Sequence, residues 1–63
     1  MLVFYKIVGG EKFYFAGFTD FFVTKSLLVD NNPKNAVFFN SIDNLTLQVL
    51  KDNDFYPEFA NFD

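Results

Sequence analysis

Two adjacent glycines, Gly9 and Gly10, constrain the fold more than any other feature of this sequence. They separate residues 2–8 from residues 11–18, two runs rich in the β-branched and aromatic residues that are typical of strands. Because glycine adopts positive φ without steric cost, a two-residue loop of this kind predicts a tight β-hairpin. The expected register places Lys6 opposite Phe13, Tyr5 opposite Tyr14, and Phe4 opposite Phe15.

This register places apolar side chains on both faces of the hairpin. Successive residues of a strand point to opposite faces, so an alternating strand normally leaves one face polar and wet. Here both faces are largely apolar, which indicates either that both are covered or that one is a binding surface. One face carries Leu2, Phe4, Val8, Phe13 and Phe15, and the other carries Val3, Tyr5, Ile7, Tyr14, Ala16 and Phe18.

The middle of the chain predicts further extended structure. We expect a bend at residues 17–20 and one extended segment over residues 21–29, with Ser26 as the place where it would break. The run Asp-Asn-Asn-Pro at residues 30–33 is a strong loop signal. Residues 36–39 are too few and too apolar for a helix, and they predict a short buried strand.

An amphipathic helix is expected over about residues 42–51, where apolar residues recur at helical spacing. Ser41 offers an N-cap hydroxyl, and Asp43 in the first turn and Lys51 in the last turn complement the helix dipole. The sequence therefore predicts a single α+β domain over residues 1–63, in which a small antiparallel sheet of three or four strands packs against one helix. Whether residues 52–63 form a strand, a short helix or a flexible tail stays open.

The residue types that are absent exclude most catalytic and metal-binding chemistry. The chain contains no Cys, His or Arg, so it lacks a thiolate nucleophile, an imidazole base and the usual zinc ligands. Asp52 and Asp54 lie two apart, but a carboxylate pair acts as acid and base only when burial drives the two pKa values apart. We therefore expect a non-enzymatic protein without cofactor or metal. The first residues lack a signal-peptide pattern, and no apolar stretch is long enough for a membrane span, which favours a cytoplasmic location.

The negative charge is concentrated at the C-terminal end. The formal net charge is −3, yet no Lys follows Lys51, whereas four of the eight acids do. Aromatic residues are interspersed with these acids, which is typical of a segment that packs against something and unlike a solvated acidic tail. Carboxylates would steer the encounter with a basic groove on another protein, and aromatic rings would anchor it. The predicted partner-binding residues are Asp52, Asp54, Phe55, Tyr56, Glu58, Phe62 and Asp63. Within this segment, we expect Phe55 and Phe59 to face inward.

Two other functions stay open. Tyr5, Tyr14 and Phe18 on one sheet face would form a stacking platform for single-stranded nucleic acid. Five Lys against eight acids make direct nucleic-acid binding the weaker hypothesis. Alternatively, two apolar sheet faces and a single helix leave surplus hydrophobic surface, which a homodimer would cover.

The order of these elements resembles a known group of proteins. A hairpin with an aromatic second strand at residues 13–18 precedes Asn-Pro-Lys-Asn-Ala-Val-Phe-Phe-Asn-Ser at residues 32–41 and the amphipathic helix. This order is similar to small early-gene proteins of phages and mobile elements of low-GC Gram-positive bacteria, from which anti-CRISPR proteins are drawn. The resemblance implies an inhibitor that binds a host protein, such as a nucleic-acid-binding nuclease effector, without doing chemistry. It carries over no functional residue.

Overall fold

The computed structural model describes residues 1–21 and 24–60 and has an α+β fold. Strands β1 (Leu2–Val8), β2 (Glu11–Phe21), β3 (Thr24–Asp30) and β4 (Tyr56–Phe59) form one antiparallel sheet in the order β3-β2-β1-β4. A 3₁₀ turn (Pro33–Asn35) and helix α1 (Asn44–Asp52) lie between β3 and β4 in the chain. The predicted fold class is confirmed. Throughout the described part of the chain, no helix has the length and apolar character needed to cross a membrane.

The predicted hairpin register is confirmed over the half of the hairpin next to the turn. β1 and β2 are antiparallel, with Tyr5 opposite Tyr14 as expected. Gly9 and Gly10 have φ angles of 59° and 80°, so both turn residues occupy the left-handed region that a type I′ turn requires. Only glycine adopts this conformation readily at two consecutive positions, which is why the sequence signal was strong.

β2 continues through residues 17–20, so the bend predicted there is wrong. The register between β2 and β3 shifts between Phe15 and Gly17, and Gly17 has a φ angle of 129°. This is a β-bulge, in which glycine absorbs the extra residue without breaking the strand. The bulge also changes the face to which the next side chains point, since the ring of Phe18 lies 5.1 Å from that of Phe15 in an edge-to-face contact. Phe18 therefore does not share the face of Tyr14, contrary to the predicted alternation.

The single extended segment expected over residues 21–29 is also wrong. β2 ends at Phe21 and β3 begins at Thr24, and these two residues are opposite each other in the sheet. The strands therefore separate well before Ser26. The two residues between Phe21 and Thr24 are a phenylalanine and a valine. Residues 22 and 23, over which the predicted segment ran, lie outside the described residues.

Residues 36–39 do not form a strand, although they bond to the sheet. The N–H of Val37 donates to the C=O of Phe15 at 2.9 Å. Leu2 and Phe39 exchange hydrogen bonds at 3.0 and 2.8 Å, as one isolated bridge. The segment thus bonds to β1 and β2 beyond the part of the hairpin where they pair with each other. The predicted strand is wrong because this segment bonds to two different strands and forms no continuous ladder with either.

Helix α1 covers one face of the sheet, which we call the helix face. Leu50 is fully buried there against Phe4 and Phe15, and Phe55 completes this core cluster. The rings of Phe15 and Phe55 meet edge to face at 5.8 Å, a favoured geometry for aromatic pairs. The opposite face, which we call the open face, has a smaller buried cluster of Val3, Tyr14 and Ala36.

The helix begins two residues later than predicted, because Asp43 rather than Ser41 is its N-cap. Oδ1 of Asp43 accepts a hydrogen bond from the N–H of Thr46 at 3.2 Å, the usual three-residue spacing of an N-cap. Hydrogen bonding from the Thr46 side chain, with a smaller contribution from its N–H, lowers the pKa of Asp43. Ile42 precedes the helix and packs partly against the core, which explains why its spacing matched the apolar pattern.

Candidate functional site

The C-terminal end of α1 is a Schellman motif, and it determines how the predicted partner-binding segment leaves the helix. The N–H of Phe55 donates to the C=O of Leu50 at 3.0 Å, and the N–H of Asp54 donates to the C=O of Lys51 at 3.1 Å. Phe55 and Leu50 are both buried, so the hydrophobic contact that accompanies this motif is present. Phe55 is a core residue, and this removes it from the predicted set of exposed contact residues.

Asp54 occupies the position of the motif where glycine is most common. Its φ angle is 67°, in the left-handed region that costs an L-residue roughly 1–2 kcal/mol and costs Asp somewhat less. Its carboxylate also adds negative charge beside the helix carbonyls, which already carry a partial negative charge. Asp52 in the last turn adds a second carboxylate, whose Oδ1 accepts a hydrogen bond from Nε2 of Gln48 at 2.8 Å. Both acids are exposed at a helix end that disfavours them.

β4 is an edge strand with two exposed aromatic side chains. Tyr56 lies opposite Tyr5, and Phe59 lies opposite Leu2 at the other end of the strand. Phe59 is 87% exposed and Tyr56 is 59% exposed. The expectation that Phe59 faces inward is wrong. Phe59 lies on the helix face but at the edge of the sheet. The phenylalanine that packs against the core cluster beside Leu2 is Phe39.

Glu58 is already paired within the protein. Nζ of Lys12 lies 2.6 Å from Oε2 of Glu58, with both side chains about a third exposed. This bond spans from β2 across β1 to β4, and hydrogen bonding to Glu58 is the main reason that the pKa of Lys12 is raised. The same ammonium lies 4.4 Å from the ring centre of Tyr5 and 5.2 Å from that of Tyr14, in cation–π geometry. Glu58 is therefore less available to a partner than the sequence predicted.

All three tyrosines form one row across the open face. Tyr14, Tyr5 and Tyr56 are aligned on β2, β1 and β4, and the rings of Tyr5 and Tyr56 lie 6.0 Å apart. The row differs from the platform predicted for nucleic acid, since Phe18 belongs to the other face and Tyr14 is buried. A base stacking on Tyr5 would also have to displace Lys12 from its ring. The geometry thus weakens the nucleic-acid hypothesis.

A groove of ≈ 250 Å³ connects the helix end to β4. It is lined by Lys51, Asp54, Phe55, Tyr56 and Pro57. Phe59 lies two residues along the strand on the same side of β4 as Pro57, because side chains alternate along a strand.

We call the groove together with Asp52 and Phe59 the C-terminal surface. Of the predicted partner-binding residues, Asp52, Asp54 and Tyr56 are exposed at this surface, and Phe55 lines the groove although its side chain is buried in the core. Phe62 and Asp63 lie outside the described residues. The exposure of Phe59 was missed, because its outward direction depends on a pairing with β1 that the sequence does not reveal. Within residues 1–21 and 24–60, no group of three or more acidic side chains is arranged to hold a metal ion.

The fold and the surface define a small α+β domain with an exposed acidic and aromatic edge. A scan against protein-family models, a search of curated proteins and a search of solved structures found no match to this chain.

Proposed function

We propose that this chain acts by binding another protein through the C-terminal surface, without catalysing a reaction. The observation that carries the proposal is Phe59, which is 87% exposed on the helix face of the edge strand β4, while Tyr56, 59% exposed, lines the groove from the open face. Exposed aromatic residues next to a groove are typical anchors of protein interfaces, because burying a ring removes a large apolar area from water. An anchor that enters a pocket of the partner would use Phe59, while Tyr56 and Pro57 would line the groove for a partner side chain.

The carboxylates favour a basic partner surface. Asp54 and Asp52 are exposed at a helix end where the dipole disfavours negative charge. Asp52 accepts a hydrogen bond from Gln48 within α1, whereas the stability of α1 does not explain the carboxylate of Asp54. Left-handed backbone of the kind seen at Asp54 supports a functional hypothesis when the local structure would be more stable with glycine. Lys51 lines the same groove and offsets part of this charge. The carboxylates would thus provide orientation and rate of encounter, and the aromatic residues most of the affinity.

The proposed partner is a host nuclease effector with a groove lined by lysine and arginine, and the chain would act as a phage-type antagonist in the bacterial cytoplasm. The chain's resemblance in element order to small phage proteins supports this assignment. A surface with two exposed carboxylates resembles two neighbouring phosphates in charge, although the whole protein is only modestly acidic, with a net charge of −3. We therefore propose local competition for a nucleic-acid groove rather than mimicry of a duplex by the entire surface.

The test measures inhibition of target cleavage by a panel of purified CRISPR nuclease effectors, with wild type and two surface variants. Phe59→Ser removes the proposed anchor, and the double variant D52K/D54K reverses the proposed charges. Leu45→Ser is the matched control for Phe59→Ser, since Leu45 is an exposed apolar residue on α1. Glu11→Lys is the control for charge reversal, since Glu11 is exposed beside the hairpin turn.

We expect Phe59→Ser to weaken inhibition by about 30-fold, as is usual for loss of a central aromatic anchor. The variant D52K/D54K should lose more inhibition at low salt than at high salt, because salt screens interactions between exposed charges. The controls should inhibit like wild type. Wild type that inhibits no effector would overturn the proposed partner. Surface variants that inhibit as well as the controls would overturn the proposed surface.

A further inference from the structure

The second edge of the sheet, strand β3, has outward-facing backbone groups. Because Gly9 and Gly10 form a two-residue turn, alternate residues of β2 bond to β1. The C=O of Phe15 points to the β1 side of β2, where it accepts a hydrogen bond from the N–H of Val37. Tyr14 therefore bonds to Asp30 on β3, and after the bulge Gly17 bonds to Leu28. By the same alternation, the N–H and C=O groups of Leu27 and Val29 point away from the sheet. Among the described residues, no backbone hydrogen bond reaches them from another segment.

The two edges of the sheet differ in how well they resist pairing with another strand. β4 has only four residues, and one of them is Pro57. Because its neighbours Tyr56 and Glu58 bond to β1, Pro57 occupies an outward-facing position of the strand, where it offers no N–H to an added strand. β3 has seven residues with no proline, and the bulge next to it lies on β2. Leu28 and Val29 are each 46% exposed, on opposite faces of this edge. A long apolar edge without such protection is suited to β-strand pairing.

We propose that β3 pairs antiparallel with β3 of a second copy of this chain, about a two-fold axis at Leu28. In this register Leu28 lies opposite Leu28 of the other copy, and Leu27 lies opposite Val29 and exchanges both backbone hydrogen bonds with it. Every apolar position then faces an apolar position, which is what determines register in a sheet. A two-fold axis at Leu27 would instead place Ser26 opposite Leu28, a poorer match.

The sequence of β3 favours a second copy over a parallel or unrelated strand. Asp30 ends the strand, and in the antiparallel register it lies opposite Ser26 of the other copy, whose hydroxyl can donate to a carboxylate. In-register parallel pairing would instead align Asp30 with Asp30, which like charges oppose. The pairing is isologous, as in most homodimers.

The dimer leaves both C-terminal surfaces free. Because β4 is at the edge opposite to β3, an eight-stranded dimer sheet would have a β4 strand at each end. A short edge-to-edge interface lies at the low end of the size range of specific complexes. We therefore expect a weak, concentration-dependent dimer. Because the dimer would carry two copies of the C-terminal surface, it would bind a partner with two sites with a higher apparent affinity than the monomer does.

Oxidative cross-linking tests the register directly, because the protein contains no Cys. In a non-hydrogen-bonded antiparallel pair, opposite Cα atoms are about 4.5 Å apart, which is within the range that a disulfide requires. Leu28→Cys should therefore form a disulfide dimer rapidly. Leu45→Cys is the control, with an exposed thiol on α1 away from the sheet edge. Equal rates of cross-linking in the two variants would overturn the proposed interface.

Sedimentation velocity over about 1–500 µM tests the same proposal without cysteine. Wild type should shift from monomer to dimer within this range, as expected for a small interface. Val29→Lys should weaken the dimer at least about tenfold, because a charge on an edge strand opposes pairing. Leu45→Lys carries the same charge change on the helix and should dimerise like wild type. Circular dichroism verifies that both variants are folded. A wild type that stays monomeric, or a Val29→Lys variant that dimerises like Leu45→Lys, would refute the proposal.

Discussion

Replacing Asp54 with glycine should stabilise the protein. Asp54 has a φ angle of 67° at the position of the Schellman motif where glycine is most common. Relief of the left-handed conformation is worth about 1 kcal/mol for Asp. Removal of a carboxylate from the helix C-terminus adds about 0.3–1 kcal/mol. The larger chain entropy of glycine in the unfolded state offsets about 0.5–1 kcal/mol of this gain. The expected net gain is about 0.3–1.5 kcal/mol, or about 1–12 °C in Tm for a domain of this size.

Asp54→Ala separates the two contributions to this gain. It removes the same carboxylate but keeps a Cβ atom in the left-handed region, so it should be less stable than Asp54→Gly by about 1 kcal/mol. Asp54→Asn removes the charge and keeps the side chain most tolerant of this conformation, so it should lie between the two. Urea unfolding followed by far-UV circular dichroism gives the free energies, and an unchanged dependence on urea shows that only stability has changed. Equal stabilities of the glycine and alanine variants would refute the backbone argument.

The same substitution distinguishes stability from function. If Asp54 contacts a partner, Asp54→Gly should be more stable than wild type and yet bind more weakly, since the carboxylate is lost. If Asp54 were present only for structural reasons, its substitution would change stability and partner binding in the same direction. The comparison is informative because the Schellman hydrogen bonds use backbone groups of Asp54 and Phe55, which glycine retains.

Two further predictions concern the polar contacts. A double-mutant cycle with Lys12→Met and Glu58→Gln should give a coupling energy of about 0.2–1 kcal/mol, as is usual for partly exposed ion pairs. Lys12→Met should lower the free energy of unfolding by about 0.5–1 kcal/mol more than Glu58→Gln does, because Lys12 also lies over the Tyr5 ring. Equal single-variant costs would contradict the cation–π contact. Because folding lowers the pKa of Asp43 below its ordinary value of 3.8, its stabilising contribution is present above that pH and is lost as the pH falls through the folded-state value. Asp43→Asn, which keeps a capping oxygen but does not titrate, should therefore lose less stability than wild type between about pH 4 and pH 2 in urea unfolding, and parallel acid profiles would contradict this.

The parts of the fold that could be predicted are those encoded by neighbouring residues. The Gly9-Gly10 turn determines the pairing around it, and the apolar spacing of α1 determines which side of the helix is buried. The bulge at Gly17 was not predicted, because a glycine after aromatic residues is equally consistent with a bend. Its effect was large, since it moved Phe18 to the other face and divided the predicted tyrosine and phenylalanine platform.

The candidate site depends on a pairing between the two ends of the chain. Glu58 and Lys12 are far apart in sequence, and they meet only because β4 pairs with β1 rather than with β3. Periodicity describes one segment at a time, so it could not show that Tyr56 joins the tyrosine row or that Phe59 faces away from the core. One local signal was available: the sequence Asn-Asp-Phe after a helix favours a left-handed residue followed by a buried one, which places Phe55 inward.

The distribution of phenylalanine connects the two proposed interfaces. Among the described side chains, Phe4, Phe15 and Phe55 form the buried core, whereas Phe18, Phe38 and Phe59 are exposed. The core of a domain this small thus uses only part of its phenylalanine content, and two of these exposed residues lie on the sheet. Phe18 lies opposite Leu27 next to the β3 edge, and Phe59 lies on the β4 edge. Exposed aromatic surface of this kind tends to self-associate unless partners cover it, so Phe59 on the β4 edge and Phe18 beside β3 support one interaction at each side of the sheet.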